Sequence, residues 1–262
     1  MLTKDELETY KRFADPYFTE KDYLQELILH YIYSNRESTR SFVFKGGTAL
    51  SKFYYSDRFS EDLDFTLLET DETGDKTISI VEQIAGNIFY SIEFIKKPSH
   101  NRFKTISAEF DIKGPRYNGK QSSLQHIRLE INTVSGMLHK PLQLPRRQTY
   151  GDIDEYIGTV MDKDEILSEK FRAIASAGRY HKERDLYDIN FLLGKKTVPK
   201  RIEIVKKFEE AGKVFSKDEL VAAIDAVGPS WKELEPFVSH RLDEYKNVRS
   251  NVIAGLEAAK VL

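Results

Sequence analysis

The apolar positions of the chain fall into two regimes. Up to about residue 160, short alternating runs are interleaved with a few helical patterns; beyond it, apolar residues recur at helical spacing to the end. Residues 3–14 and 20–35 read as amphipathic helices, the second carrying Tyr23, Leu24, Leu27, Ile28 and Tyr31 on one face. SFVF (41–44) is a short apolar strand. Gly46 and Gly47 break it, and Thr48 is placed to cap a helix through Tyr54. SEDLDFTLLE (60–69) alternates as a strand does, and residues 76–90 suggest another helix. Strand candidates follow at SIEFIKK (91–97), RFKTISAEFDI (102–112) and SLQHIRLEINTV (123–134), the last two separated by the turn residues Gly114, Pro115, Asn118 and Gly119. Residues 140–154, with two prolines and Arg146–Arg147, read as a linker or loop, and YIGTVM (156–161) as a short strand. Helices are then expected at 162–177, 184–193, 199–211, 216–226, 230–238 and 239–259. The expectation is an α+β protein: a mixed sheet with flanking helices over residues 1–160, followed by a C-terminal helical bundle over 161–262.

Composition narrows the chemistry. A chain of 262 residues, 40% hydrophobic and 31% charged, can bury a substantial core. Forty basic and 42 acidic side chains leave a formal charge of −2, so nucleic acid would have to be met by local basic patches. The absence of cysteine excludes disulfide partners, thiolate metal ligands and a cysteine nucleophile, and suits a reducing cytoplasm. MLTKDELETYKRFAD is charged throughout, and no apolar run approaches the roughly twenty residues of a membrane span. The reading is a cytoplasmic protein with no membrane partner.

The chemistry concentrates in FKGGTALSKFYYSDRFSEDLDF. In DLDF, Leu63 and Phe65 point to one sheet face while Asp62 and Asp64 point to the other. Carboxylates at i and i+2 of a strand lie roughly 6–7 Å apart, and their repulsion calls for a cation. A hard divalent ion such as Mg2+ takes oxygen ligands and keeps positions open for phosphate oxygens. The glycines at the strand-to-helix turn expose backbone N–H groups beside a positive helix end, which suits a triphosphate. Lys45 and Arg58 flank this unit and are candidates to meet phosphate, or are solvated surface charges.

GGTAL, a short helix and then RFSEDLDF resemble the signature of the polymerase-β-like nucleotidyltransferase superfamily, and within it the AbiEii-type toxins of toxin–antitoxin and phage-defence systems. The resemblance implies a nucleotidyltransferase fold in which Asp62 and Asp64 bind Mg2+ (or Mn2+), with an NTP as substrate. Gly47–Thr48 stands where the family has Gly–Ser, next to Gly46. Ser60 matches a serine of the toxin families, where its hydroxyl would touch nucleotide or be modified by an antitoxin; alternatively it ends a turn.

Two-metal nucleotidyl transfer calls for a third carboxylate. Glu130 of HIRLEINTV, opposite the apolar face of Ile127, Leu129 and Ile131, is the candidate on the fold analogy, with Asp111 its rival. In DEILSEKFRAIASAG, Ile166, Lys170 and Ile174 stand at i, i+4 and i+8, which places a lysine within an apolar stripe. It either snorkels to water or finds an anionic partner. Lys170 followed by Arg184-Asp185-Leu186-Tyr187-Asp188 resembles the family's downstream motif. Carried over, Lys170 binds triphosphate and Asp185 orients it or acts as a base; the plain alternative is a buried Lys–Asp pair joining two helices. Arg172 is a further candidate for the triphosphate, so that the helical domain would complete the active site.

The implied reaction is displacement at the α-phosphate with pyrophosphate leaving. Basic clusters at Arg146–Arg147, Arg179–Lys182, Lys195–Lys196, Lys200–Arg201 and Lys206–Lys207 are the only sequence clue to an RNA track. No histidine shows metal-ligand spacing. By resemblance the acceptor is RNA, foremost the tRNA 3′ end, and a cognate antitoxin is expected. The alternatives are nucleotidylation of a small molecule or a protein hydroxyl, and a non-catalytic nucleotide- or RNA-binding protein of the same fold.

Overall fold

In the computed structural model the chain divides into two compact units. The first comprises Met1–Tyr55, Phe59–Met137 and Pro141–Val160; the second comprises Ser56–Arg58, Leu138–Lys140 and Met161–Leu262. The residues described are 1–69, 71, 73–89, 94–96, 100–102, 105–133 and 136–262. The strand expected at 91–97 and the start of that at 102–112 lie partly outside them. No described helix is long and apolar enough to cross a membrane.

The first unit is built on a mixed sheet. Its strands are β1 (Phe42–Lys45), β2 (Leu63–Leu67), β3 (Phe94–Lys96), β4 (His100–Arg102), β5 (Thr105–Ile112), β6 (Gln125–Asn132), β7 (Leu142–Arg146) and β8 (Tyr156–Val160). They run in the order β3-β5-β6-β2-β1-β8-β7, with β4 also paired to β5. The alternation along β5 and β6 is the cause of their pairing: every second side chain is buried in each, so an antiparallel ladder from Thr105↔Asn132 to Ile112↔Gln125 puts both apolar sets on one face. At the centre, β2 lies antiparallel to β1 and parallel to β6.

The helices are α1 (Lys4–Glu8), α2 (Pro16–Ser34), α3 (Arg36–Ser41), α4 (Gly46–Phe53) and α5 (Asp75–Phe89). The helix expected over 3–14 stops at Glu8, and Lys11 has φ +41. α2 starts four residues before the expected position. Asp15 accepts from the Tyr17 N–H as N-cap, and Pro16 supplies the preset φ of a first helical residue. α2 also buries acidic groups. Glu26 receives both Nε and Nη2 of Arg146 and the Tyr156 hydroxyl, while Lys52 Nζ lies 2.7 Å from Asp22 and 3.2 Å from Glu26. These charges fasten α4 and β7 to α2.

Arg146 explains a correction. Residues 140–154 were expected to be loop, yet Leu142–Arg146 forms β7. It closes one edge of the sheet, where a proline's missing N–H is tolerated.

The second unit is helical: α6 (Lys163–Ile174), α7 (Lys182–Gly194), α8 (Arg201–Glu210), α9 (Lys217–Asp225) and α10 (Tyr245–Ala258). α6 packs on α7, α8 and α9, and α10 packs on α7. Where an α-helix was expected at 230–238, Gly228–Phe237 is a 3-10 stretch with Pro236 inside it, and α10 begins six residues later than expected.

Candidate active site

The glycine turn and the aspartates meet through strand pairing. β1 ends at Lys45, whose Cα is paired with that of Asp64 on β2. Gly46 follows with φ +74, a conformation that side chains disfavour. A Cβ there would come within 2.4 Å of Asp64 Oδ2, so the backbone passes against the carboxylate at the one residue that allows it. Gly47 and Thr48 are buried in the first turn of α4. Thr48 does not cap the helix: its N-cap is Lys45 and has no side-chain hydrogen bond, while the Thr48 hydroxyl donates to the Asp62 carbonyl oxygen. The Ser60 and Glu61 carbonyls accept from Gln25 Nε2 at 2.9 and 2.8 Å, which pins the approach to DLD onto α2.

The third carboxylate comes from the neighbouring strand. In the parallel β2–β6 ladder Asp64 stands opposite Glu130, with Leu63↔Leu129 and Phe65↔Ile131 on either side. Those four apolar residues are buried, which leaves the carboxylates on the other face. Asp111 instead pairs with His126 Nδ1 at 2.9 Å, on a rung of β5–β6 four residues from Ser107↔Glu130, roughly 13 Å along the strand. Asp62 and Glu130 share one cation that the sequence reading passed over. Arg128 Nη2 donates to Asp62 Oδ2 at 2.9 Å, and Nη1 lies 3.4 Å from Glu130 Oε1. The Asp62 hydrogen bond raises the Arg128 pKa further, against partial burial. Arg128 bridges two of the three carboxylates, Asp62 and Glu130, while Asp64 stands on the rung opposite Glu130; their ligand atoms are not gathered within 4.8 Å of one another as they stand, but an all-oxygen set of this kind is the chemistry a hard divalent ion takes.

In the second unit the lysine within the apolar stripe has partners of its own. Lys170 Nζ on α6 lies 2.9 Å from Asp185 Oδ1 and 2.7 Å from Asp188 Oδ2, both on α7. Arg58 clasps Asp188 through Nε at 2.9 Å and Nη2 at 2.8 Å, and Arg179 Nε reaches Asp185 at 3.0 Å. Both aspartates are fully buried. Burial alone would raise their pKa values, but Lys170 with Arg179 at Asp185, and Arg58 with Lys170 at Asp188, drive them below the ordinary range. Lys170 is pulled up by the same pair against its own burial. The buried Lys–Asp pair joining two helices is therefore present, and Asp188 is a full member of it. Arg58, read as flanking the glycine turn, spends its fork on Asp188. Arg172 stands in the last turn of α6, partly exposed.

Two expected basic groups are internal. Arg146 is committed to Glu26, and Lys207 is buried among Glu165, Glu169 and Glu210. Conversely, among the described residues one trio brings its ligand atoms within 4.8 Å of one another: His181, Glu183 and Glu233. Glu233 stands fifty residues from Glu183, too far along the chain for any spacing motif to reveal the grouping.

Comparisons with known proteins bear on the family and the fold. The family model described as "Nucleotidyl transferase AbiEii toxin, Type IV TA system" matches residues 28–253. No curated protein matches the chain. Among solved structures, the chain is similar to the nucleotidyltransferase toxin MenT4 of Mycobacterium tuberculosis (17% identity, TM-score 0.65, covering 98% of this chain and 88% of the other). It is similar also to a candidate nucleotidyltransferase from H. pylori (14%, 0.60, 99% and 96%) and to JHP933 from Helicobacter pylori (16%, 0.57, 95% and 94%). At these identities the structural likeness speaks for the fold. The sequence match spans most of the chain and carries the assignment: this protein belongs to the AbiEii family of nucleotidyltransferase toxins of type IV toxin–antitoxin systems.

Proposed function

We propose that the protein transfers a nucleoside monophosphate from a Mg2+-bound NTP to an RNA hydroxyl, foremost the 3′ end of tRNA, and so blocks translation until its antitoxin intervenes. The observation that carries the reading is the Asp64–Glu130 rung, with Asp62 beside it and Gly46 packed against the Asp64 carboxylate. Asp62, Asp64 and Glu130 are the residues to hold the divalent ion. When bound, that ion would neutralise triphosphate charge and make the acceptor hydroxyl easier to deprotonate.

The chain's own groups have distinct tasks. Backbone N–H groups of Gly46, Gly47 and Thr48 at the start of α4 are placed to receive phosphate oxygens, and Thr48 locks that turn to Asp62. Lys45 and Ser60, next to the same turn, are proposed to touch nucleotide. In the second unit Lys170, with Asp185 as its orienting partner, keeps the family's triphosphate role. Two of its three donors go to Asp185 and Asp188, and Arg58, Lys170 and Arg179 exceed the two carboxylates by one positive charge. Arg172 is proposed to support triphosphate charge from the same unit, and Arg58, its fork held by Asp188, to add positive charge to the cluster around Lys170.

In the reaction the acceptor oxygen forms a bond to the α-phosphorus as the α–β anhydride bond breaks, pyrophosphate departs and the hydroxyl proton is released. Nothing covalent on the protein is needed. The basic groups Arg179, Lys182, Lys195, Lys196 and Lys206 remain as candidate RNA contacts, in a protein working in the cytoplasm, in phage defence among other settings.

The test is to incubate the protein with total tRNA, Mg2+ and each α-phosphate-labelled NTP in turn, beside Asp62→Ala. Label in RNA that depends on Asp62 supports the proposal. Label in protein or in a small molecule moves the acceptor, and no Asp62-dependent label in any fraction removes the enzyme reading of this site.

A further inference from the structure

β6 carries its charged residues on the face that Glu130 uses. Two residues back from Asp64↔Glu130 along each segment stand Asp62, just before β2, and Arg128 on β6, and their side chains meet at 2.9 Å. The same guanidinium reaches Glu130 at 3.4 Å, so one fork spans the carboxylate that leads into β2 and the one on β6. Asp62, Glu130 and Arg128 are each 39% exposed, which leaves the long arginine side chain room to swing.

Two like charges brought together by strand register repel, and in this arrangement Arg128 supplies the compensating charge. A divalent ion needs the same oxygens at about 2.0–2.1 Å and cannot share their inner side with a guanidinium. Resting on the carboxylate reading above, we propose that Arg128 is a built-in counter-ion which the divalent cation must displace: it holds Asp62 and Glu130 in place in the cation-free protein and sets the threshold at which the site loads. Arg128 is thus a positioning residue acting through Asp62 and Glu130.

The experiment measures Mn2+ binding to the full chain, without nucleotide, by titration calorimetry and by the loss of the free-ion electron paramagnetic resonance signal. Arg128→Gln keeps side-chain polarity and removes the charge. It is expected to bind Mn2+ on the order of tenfold more tightly than the parent, the scale of two half-exposed ion pairs. Without metal, Arg128→Gln melts lower than the parent, and Mn2+ raises its melting temperature by more. A residue that merely braced the strands would leave affinity unchanged or weaken it, and either result overturns the inference. Asp62→Asn tests the underlying reading separately, because parent binding that survives in Asp62→Asn places the metal elsewhere and removes both. Absence of binding in parent and Arg128→Gln alike also removes both. Should Arg128→Gln not fold, Arg128→Lys keeps the charge but replaces the planar two-pronged fork by a single point donor on a shorter reach; about threefold tighter binding is expected, and unchanged or weaker binding refutes the inference.

Discussion

Alanine at position 46 tests whether the glycine turn exists to bring backbone against a carboxylate. The substitution has two separable costs. Gly46 has φ +74, and a left-handed backbone costs an ordinary residue about 1–2 kcal/mol. The new Cβ would also stand 2.4 Å from Asp64 Oδ2, where ordinary contact begins at 3.4 Å, so the carboxylate must withdraw by about 1 Å. Gly119 supplies the control. Its φ is +89, but nothing lies within 4 Å of a Cβ built there, so Gly119→Ala carries the backbone cost alone. Both variants are expected to lose about 1–2 kcal/mol in urea denaturation, with Gly46→Ala up to about 1 kcal/mol further because Asp64 can swing. Nucleotide transfer separates them. A displacement of about 1 Å at a reacting centre can lower rate on the order of a hundredfold, so Gly46→Ala should lose about that much while Gly119→Ala keeps parental activity. If Gly46→Ala retains transfer within about threefold of Gly119→Ala, either Asp64 is not in the chemistry or the glycine does not set its position.

Three further outcomes follow from the buried charges. Burial opposes ionisation of Glu26, yet Lys52 and Arg146 hold its pKa down to about 2; its stabilisation is complete above the ordinary glutamate value and is lost as pH falls towards 2. Glu26→Gln should therefore cost about 3 kcal/mol at neutral pH and flatten the acid limb of a denaturation–pH profile. Asp188→Asn leaves Arg58 and Lys170 buried with one carboxylate fewer, and should destabilise the second unit by about 3–5 kcal/mol by calorimetry. Because the Asp188 pKa is also depressed, the parent-minus-variant difference should shrink as pH drops below the ordinary aspartate value near 4. Lys170→Met should weaken NTP binding at least about tenfold in a filter assay at a temperature where the variant is folded; unaltered binding would leave Lys170 a purely structural role.

What the sequence disclosed and what it hid have physical reasons. The GG turn, the DLD alternation and the β5–β6 pattern are local, so glycine conformation and the two-residue period made them readable. Glu130 was separated from Leu129 and Ile131 by the same period, but only the β2–β6 register puts it beside Asp64 rather than leaving Asp111 as its equal. Arg128 gave no signal, since a charge alternating along a strand is what any solvated face shows. Arg58 and Asp188 stand 130 positions apart, and nothing local states that one will clasp the other. β7 was hidden because prolines weigh against a strand unless its edge position is known. Lys207 and Arg146 counted as surface charge because composition does not register burial.

The paired charges also argue about where chemistry can occur. Asp22 and Glu26 are sealed under Lys52 and Arg146, and Asp185 and Asp188 are sealed among Arg58, Lys170 and Arg179. In those clusters opposite charges satisfy one another in the interior, and breaking them leaves a buried charge exposed to no solvent. Asp62 and Glu130 differ in kind: each is 39% exposed, and the nearest cation divides one charge between them at 2.9 and 3.4 Å. A carboxylate pair held that loosely contributes little to stability, since half-exposed ion pairs are worth about 1 kcal/mol or less. What the arrangement retains is the capacity to exchange one cation for another. A carboxylate set proposed to take up and release a divalent ion requires that exchange, which a sealed carboxylate pair such as Asp22 and Glu26 would forbid.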